Sequence, residues 1–410
     1  MERDLKIPLK ELTSYITNEL AKAGFKPGTV GNYVKVYERL HKLAGTLRKE
    51  FYDQDLGEKF IEDSAYHNGD GYCHSRYLYH VRCTHFIESY LNDGKIDWEI
   101  SHPLPPKTLK SPVLSQTFNE FKAAMVEEGL KPNTRDGYQR FVYYFLSYLE
   151  DIGYASLSQL RQGDIVTFIV MVCQEHYTPT SLGAHLPGLR RFIQAHAETR
   201  WLEIELPNTL PKKHDILCVY SDEEHAKITE FLEKDETSSR NRAIALIAFK
   251  TGLRAIDICR LKLSDVDWKH DIIHLTQEKT GKAISIPMLP ALGNALSEYL
   301  LNERPVSSSE YVFLTVNAPF NPLADHSGVY NILRKVVSAA KVEASGRIYG
   351  TRITRHSYAS RMLRNGIPLP VISEALGHNS PDSTMRYLST DEKIMAECTL
   401  PLPKGGLEWV

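Results

Sequence analysis

Two stretches of this 410-residue chain nearly repeat each other: AGFKPGTVGNYVKVYERL at 23–40 and EGLKPNTRDGYQRFVYYF at 128–145 share G-[FL]-K-P-x-T-x-x-x-Y. Tyr33 and Tyr138 stand 105 positions apart (138 − 33), and Phe86 and Phe192 stand 106 apart (192 − 86), so the register persists over a domain's length. A period of that size means a duplicated domain, because solenoid repeats are far shorter. Each copy reads as helical. Val30, Tyr33, Val34, Tyr37 and Leu40 recur at helical spacing, as do Tyr138, Phe141, Val142, Phe145 and Leu149, and aromatics on such stripes are core. Lys-Pro precedes Thr29 in one copy and Thr134 in the other, which predicts a turn into a helix capped by the threonine. Proline-rich stretches without an apolar period, 101–115 and 205–216, read as linkers. The expected segments are therefore 1–100, 111–205 and 217–397, with a tail at 398–410. Ser221 and Glu224 form the S-x-x-E capping box that opens a helix at the start of the third.

Composition excludes more than it selects. Hydrophobic residues at 42% and charged residues at 24% suit a globular chain, and apolar runs such as 243–249 are too short to span a bilayer. The opening MERDLKIPLKEL lacks the basic end and apolar core of a secretion signal, which predicts a cytoplasmic protein. A net charge of −2 does not call for nucleic acid, so any DNA-binding surface must be made by segregating the basic residues. The six cysteines, Cys73, Cys83, Cys173, Cys218, Cys259 and Cys398, form no C-x-x-C pair, and no disulfide framework is expected. His67, Cys73, His74, His80, Cys83 and His85 crowd one stretch, but their spacing fits no common zinc pattern, so the expected metal complement is none.

The third segment carries chemistry. Arg254 follows Thr251-Gly252-Leu253 at the end of a run that reads as buried helix, and Gly252 predicts a break that lets the next turn approach a ligand. A guanidinium suits phosphate because it is planar, always charged and donates two parallel hydrogen bonds. Asp257, three residues on, shares its helical face and is placed to orient Arg254 or another donor. Residues 272–276 and 283–287 alternate in polarity about Glu278-Lys279-Thr280-Gly281-Lys282, which predicts a β-hairpin with Lys279 at its tip. Downstream lie GTRITRHSYAS at 350–360 and LGHNSPDSTMRY at 376–387. Together these stretches supply a nucleophile, fixed positive charge and a hydrogen-bond donor, the equipment for attacking a phosphodiester.

The arrangement resembles the tyrosine recombinase (phage integrase) family, over roughly residues 110–390. The resemblance implies a mainly α fold with a small β-sheet in the catalytic domain, preceded by two helical SAM-like DNA-binding domains. In these terms the second copy is the core-binding domain and the first an extra domain of its kind, binding further DNA or lengthening the clamp around the core site. Arg254 and Arg355 match the two catalytic arginines, Lys279 the hairpin lysine that protonates the departing oxygen, His378 the histidine of LGH, and Tyr387 the nucleophile. His356 is a supporting residue. Arg352 departs from the family, standing where the H-x-x-R-H pattern has histidine; it cannot serve as a base but adds positive charge. Lys131, Arg135, Arg190, Arg191 and Lys282 are candidate DNA contacts. The resemblance further implies strand cleavage and rejoining through a 3′-phosphotyrosyl intermediate, in an integrase or transposase of a mobile element. It implies double-stranded DNA as partner, a homotetramer in the synaptic complex, a monomer or weak oligomer without DNA, no membrane and no cofactor. A type IB topoisomerase and a catalytically inactive DNA-binding homologue are the alternatives.

Overall fold

The computed structural model describes residues 7–64, 73–98, 109–210, 217–234, 236–324, 326–343, 350–380, 382–385 and 387–388. His67, Cys398 and the 398–410 tail with its Trp409 lie outside the described residues. None of the described helices is long and apolar enough to cross a membrane.

The first segment folds as α1 (Leu9–Lys22), α2 (Pro27–Thr46), α3 (Gln54–Glu62) and α4 (His74–Asp93). Tyr33, Leu40, Phe60 and Phe86 lie in its core, with the indole of Trp98 set edge-on to Phe86 at 5.1 Å. The second segment folds as α5 (Pro112–Glu127), α6 (Pro132–Asp151), α7 (Asp164–Glu175) and α8 (Leu186–Ala195), around Phe141, Phe145, Phe168 and Phe192. The repeat survives in the helices: α2 and α6 both run 20 residues.

The threonines do not cap these helices. Both begin earlier, at Pro27 and Pro132, with Lys26 and Lys131 as extended caps, so Thr29 and Thr134 lie in the first turn. Proline has no N–H to leave unsatisfied at the first helical position, and it forces the residue before it out of the helical region. The same preference shortens the first linker. Pro112 starts α5, and the Ser111 hydroxyl accepts from the Leu114 amide.

The third segment contains α9 (Asp222–Glu233), α10 (Ser239–Thr251), α11 (Ala255–Cys259), β1 (Val266–Asp267), β2 (Ile272–Thr276), β3 (Ala283–Pro287), α12 (Pro290–Glu298), α13 (His326–Ala339), α14 (Thr351–Arg364), α15 (Leu369–Leu376) and α16 (Asp382–Met385). The Ser221–Glu224 capping box opens α9. Helix α10 is buried on nearly every side, with 243–249 at its centre. The antiparallel sheet has the order β1-β2-β3, and Ile273 pairs with Ile286 in the hairpin register. Strand β1 is two residues long, too short for alternation to reveal it.

Two compact units result. One comprises the first and third segments, and the other is residues 104–215. Within the first unit Ala318 packs against the core of α1–α4, Asn321 donates to the Trp98 carbonyl at 3.4 Å, and the Phe320 ring lies close to Gly24.

Candidate active site

Helix α10 stops because Gly252 adopts φ +64°, which glycine tolerates at little cost. A Cβ at Gly252 would lie 2.9 Å from Cδ1 of Tyr358 on α14, so the glycine also allows the close approach of two helices. The turn leaves the Gly252 carbonyl facing α14 and sets Arg254 as the N-cap residue of α11.

Arg355, on α14, is only 7% exposed. Its Nη1 donates to the Gly252 carbonyl at 3.0 Å and its Nη2 to the Leu376 carbonyl at 2.6 Å. Two backbone acceptors at the ends of α10 and α15 thus aim one planar fork. Burial, then the neighbouring Arg254, pushes its pKa down to about 10, so it stays protonated at neutral pH. Tyr387 lies beside it and, with Asp257, works against that shift.

Tyr387 is 2% exposed and packs with Ala359, Leu363, Ile372 and Leu376. Its ring centroid lies 5.5 Å from His356 and 6.1 Å from His378, the latter nearly parallel. His378 follows Gly377, which ends α15 at φ +63°. The His378 Nδ1 lies 2.7 Å from the Thr384 hydroxyl. Burial, then Arg355, Arg254 and Lys282, lowers its pKa to about 4, so the ring is neutral at neutral pH.

Arg254 donates from Nη1 to Gln277 Oε1 at 2.6 Å. Asp257 lies 4.0 Å from Arg254, beyond a direct hydrogen bond, and instead accepts from the Glu278 amide at 2.9 Å, so it anchors the base of the β2–β3 hairpin. Burial raises its pKa, while the Glu278 amide and then the two arginines oppose that shift.

Four of the candidates, Arg254, Arg355, His378 and Tyr387, are brought together from α11, α14 and the chain after α15. Lys279 and Arg352 are exposed and make no hydrogen bond or ion pair among the described residues. Lys282 donates Nζ to the His378 carbonyl and so braces the hairpin against the end of α15. In the second unit Arg190 is held by Glu203 at 2.8 Å and Arg191 by Glu128. Lys131 is exposed at the cap of α6 and Arg135 is half-buried. The cysteines and histidines of α4 point to separate partners. His80 stacks on Phe60 and meets its carbonyl at 2.6 Å, and His85 pairs with Asp97. No group of three metal-binding side chains occurs among the described residues.

Sequence reading passed over Gln277. It lies on the inward parity of β2, after Ile273 and Leu275, and a polar residue in an apolar register was the available signal.

Residues 219–393 match the profile of the phage integrase family. A putative integrase/recombinase of Sinorhizobium fredii, y4gC, is 30% identical over 171 residues, which cover 42% of this chain and 87% of that protein. The chain belongs to the phage integrase family of tyrosine recombinases. Tyrosine recombinase XerA of Pyrococcus furiosus is 29% identical over 300 residues, 71% of this integrase-family chain and 94% of XerA. The fold is shared with XerH bound to its difH substrate, at TM-score 0.54 and 19% identity over 72% of this chain and 97% of that one. In the post-cleavage XerH complex the likeness extends over 97% of both chains, at TM-score 0.53 and 17% identity.

Proposed function

We propose that this chain cleaves and rejoins duplex DNA at specific sites, with Tyr387 as the nucleophile. The observation that carries the reading is the burial of Tyr387 against Arg355, with Arg254 and His378 in the same cluster. A phenol with an ordinary pKa of about 10 is a poor nucleophile when neutral, and a phosphodiester repels anions, so both need fixed positive charge.

Arg254 and Arg355 grip the non-bridging oxygens of the scissile phosphate and carry the charge that builds on the phosphorane. In the tautomer of the neutral ring that carries its proton on Nε2, Nδ1 accepts from the Thr384 hydroxyl 2.7 Å away and Nε2–H donates to a phosphate oxygen. The Tyr387 oxygen bonds to phosphorus, the bond from phosphorus to the 5′ oxygen breaks, and the exposed Lys279 at the hairpin tip supplies that oxygen's proton. The products are a 3′-phosphotyrosyl enzyme and a 5′ hydroxyl. Attack by a hydroxyl from a second duplex reverses the step and completes exchange, which places four protomers around two duplexes. Arg352 cannot accept the tyrosine proton, so that proton passes to water, and the positive charge of Arg355 favours the phenolate left behind. The biological setting is the integration or transposition of a mobile element.

The test is a nicked suicide duplex built from DNA flanking the gene. Wild type should form a detergent-resistant covalent complex, and Tyr387→Phe should lose it while retaining DNA binding. Covalent attachment by Tyr387→Phe, or binding by wild type with no complex, would sink the reading.

A further inference from the structure

A carboxamide and a backbone carbonyl link the two arginines of the site. Gln277 is 1% exposed and its polar atoms are engaged on both sides. Oε1 accepts from Arg254 Nη1 at 2.6 Å and from the Thr280 hydroxyl at 2.8 Å, and Nε2 donates to the Leu376 carbonyl at 3.0 Å. That carbonyl is also the acceptor for Arg355 Nη2 at 2.6 Å. The path from Arg254 through Gln277 and the Leu376 carbonyl to Arg355 therefore crosses α11, the hairpin, α15 and α14 in three hydrogen bonds.

The surrounding chain is shaped to this amide. A Cβ at Gly377 would lie 2.4 Å from Gln277 Oε1, so the residue before His378 must lack a side chain for the carboxamide to sit where it does. On its other flank Gln277 precedes Glu278, whose amide is fixed by Asp257, and then Lys279. A buried polar group must be hydrogen-bonded wherever it lies, and that alone would make Gln277 structural. Its partners argue for more. Only a group that accepts on one side and donates on the other satisfies Arg254 and the Leu376 carbonyl together, and glutamine does so without charge. A carboxylate there would neutralise the field of both guanidinium groups and meet the Leu376 carbonyl oxygen with no proton between them.

We propose that Gln277 is a positioning residue of the strand-cleavage site, holding Arg254 and Arg355 in the relation at which both meet one phosphate. The inference rests on the recombinase reading above. Its test is single-turnover cleavage of the suicide duplex, with DNA binding and melting measured alongside. Gln277→Ala should slow cleavage about 10- to 100-fold, the value of one hydrogen bond to a charged group, and leave DNA binding near wild type. Gln277→Glu preserves size, should melt close to wild type, and should slow cleavage at least as much. In an Arg254→Lys background Gln277→Ala should cost no more than about threefold further, because its effect runs through Arg254. Wild-type cleavage by either single variant, or full multiplication of the two losses in the double variant, overturns the inference while Tyr387-dependent trapping still stands. If wild type forms no covalent complex at all, the recombinase reading itself has failed.

Discussion

Arg355→Lys tests whether a guanidinium fork is what the fold is built to hold. The native side chain serves two carbonyls, of Gly252 at 3.0 Å and Leu376 at 2.6 Å, from two different nitrogens. A lysine ammonium is a single compact donor centre and cannot span both. The Leu376 carbonyl would still accept from Gln277, so the Gly252 carbonyl is the one left short. A buried acceptor without its donor costs about 1–3 kcal/mol. Lysine is also more strongly hydrated than arginine, so burying its charge at a position 7% exposed, beside Arg254, adds to that cost. A total of about 2–3 kcal/mol should lower the melting temperature by about 3–5 °C for a folding unit of this size. Cleavage should fall by at least about 100-fold, because the bidentate grip on the phosphate is lost as well. Arg254→Lys provides the control. Arg254 is more exposed and its only side-chain hydrogen bond among the described residues is to Gln277, so that variant should lose comparable activity with a smaller change in melting. Differential scanning fluorimetry and suicide-duplex cleavage measure both quantities. If Arg355→Lys melts with wild type, or loses stability no faster than Arg254→Lys, the two-carbonyl support does not hold the site as argued.

Two other perturbations separate packing from charge. Gly377→Ala forces a side chain into φ +63° and places its Cβ 2.4 Å from Gln277 Oε1, whereas Gly281→Ala at φ +68° meets nothing within 4 Å. Backbone strain of about 1–2 kcal/mol is common to both, so the further loss of melting temperature and of cleavage in Gly377→Ala alone measures the displaced carboxamide. His225 and His378 are both buried with pKa values lowered to about 4, His225 by burial and then by Arg361 and Lys250. The unfolded chain takes up these protons near the ordinary histidine pKa while the folded chain resists them, so stability is intact above about pH 6.5 and falls as pH drops toward 4, by up to about 3 kcal/mol per residue. His225→Gln keeps an acceptor for Arg361 and removes one titration, so its melting temperature should decline less steeply between about pH 7 and pH 5; an unchanged slope would refute the assignment.

What the sequence disclosed follows from how local each signal is. The hairpin strands were legible to the residue because alternation needs only neighbours, and the repeat was legible because two copies share one pattern. The starts of α2 and α6 were misplaced because proline's fixed φ outweighed the capping preference of threonine. The break at Gly252 was legible from the glycine, but its packing against Tyr358, more than a hundred positions downstream, was not. The docking of Ala318 against α1–α4 had no local signature either.

The site divides along the same line. Arg254, Arg355, His378 and Tyr387 were nameable in advance because the chemistry proposed for them restricts residue type, and the fold brings the four together. What orients them is largely backbone: the carbonyls of Gly252, Leu376 and His378 accept from Arg355, Gln277 and Lys282. A carbonyl belongs to every residue, so its role leaves no mark on the residue that bears it. Leu376 serves the arginines through its carbonyl while its side chain packs with Tyr387, and both depend on α15 ending at the same place with Gly377 in its left-handed turn. Substitutions away from the reacting groups should accordingly reach the chemistry through the glycines that set where helices end and through the side chains, Gln277, Asp257 and Lys282 among them, that fix the hairpin to those ends.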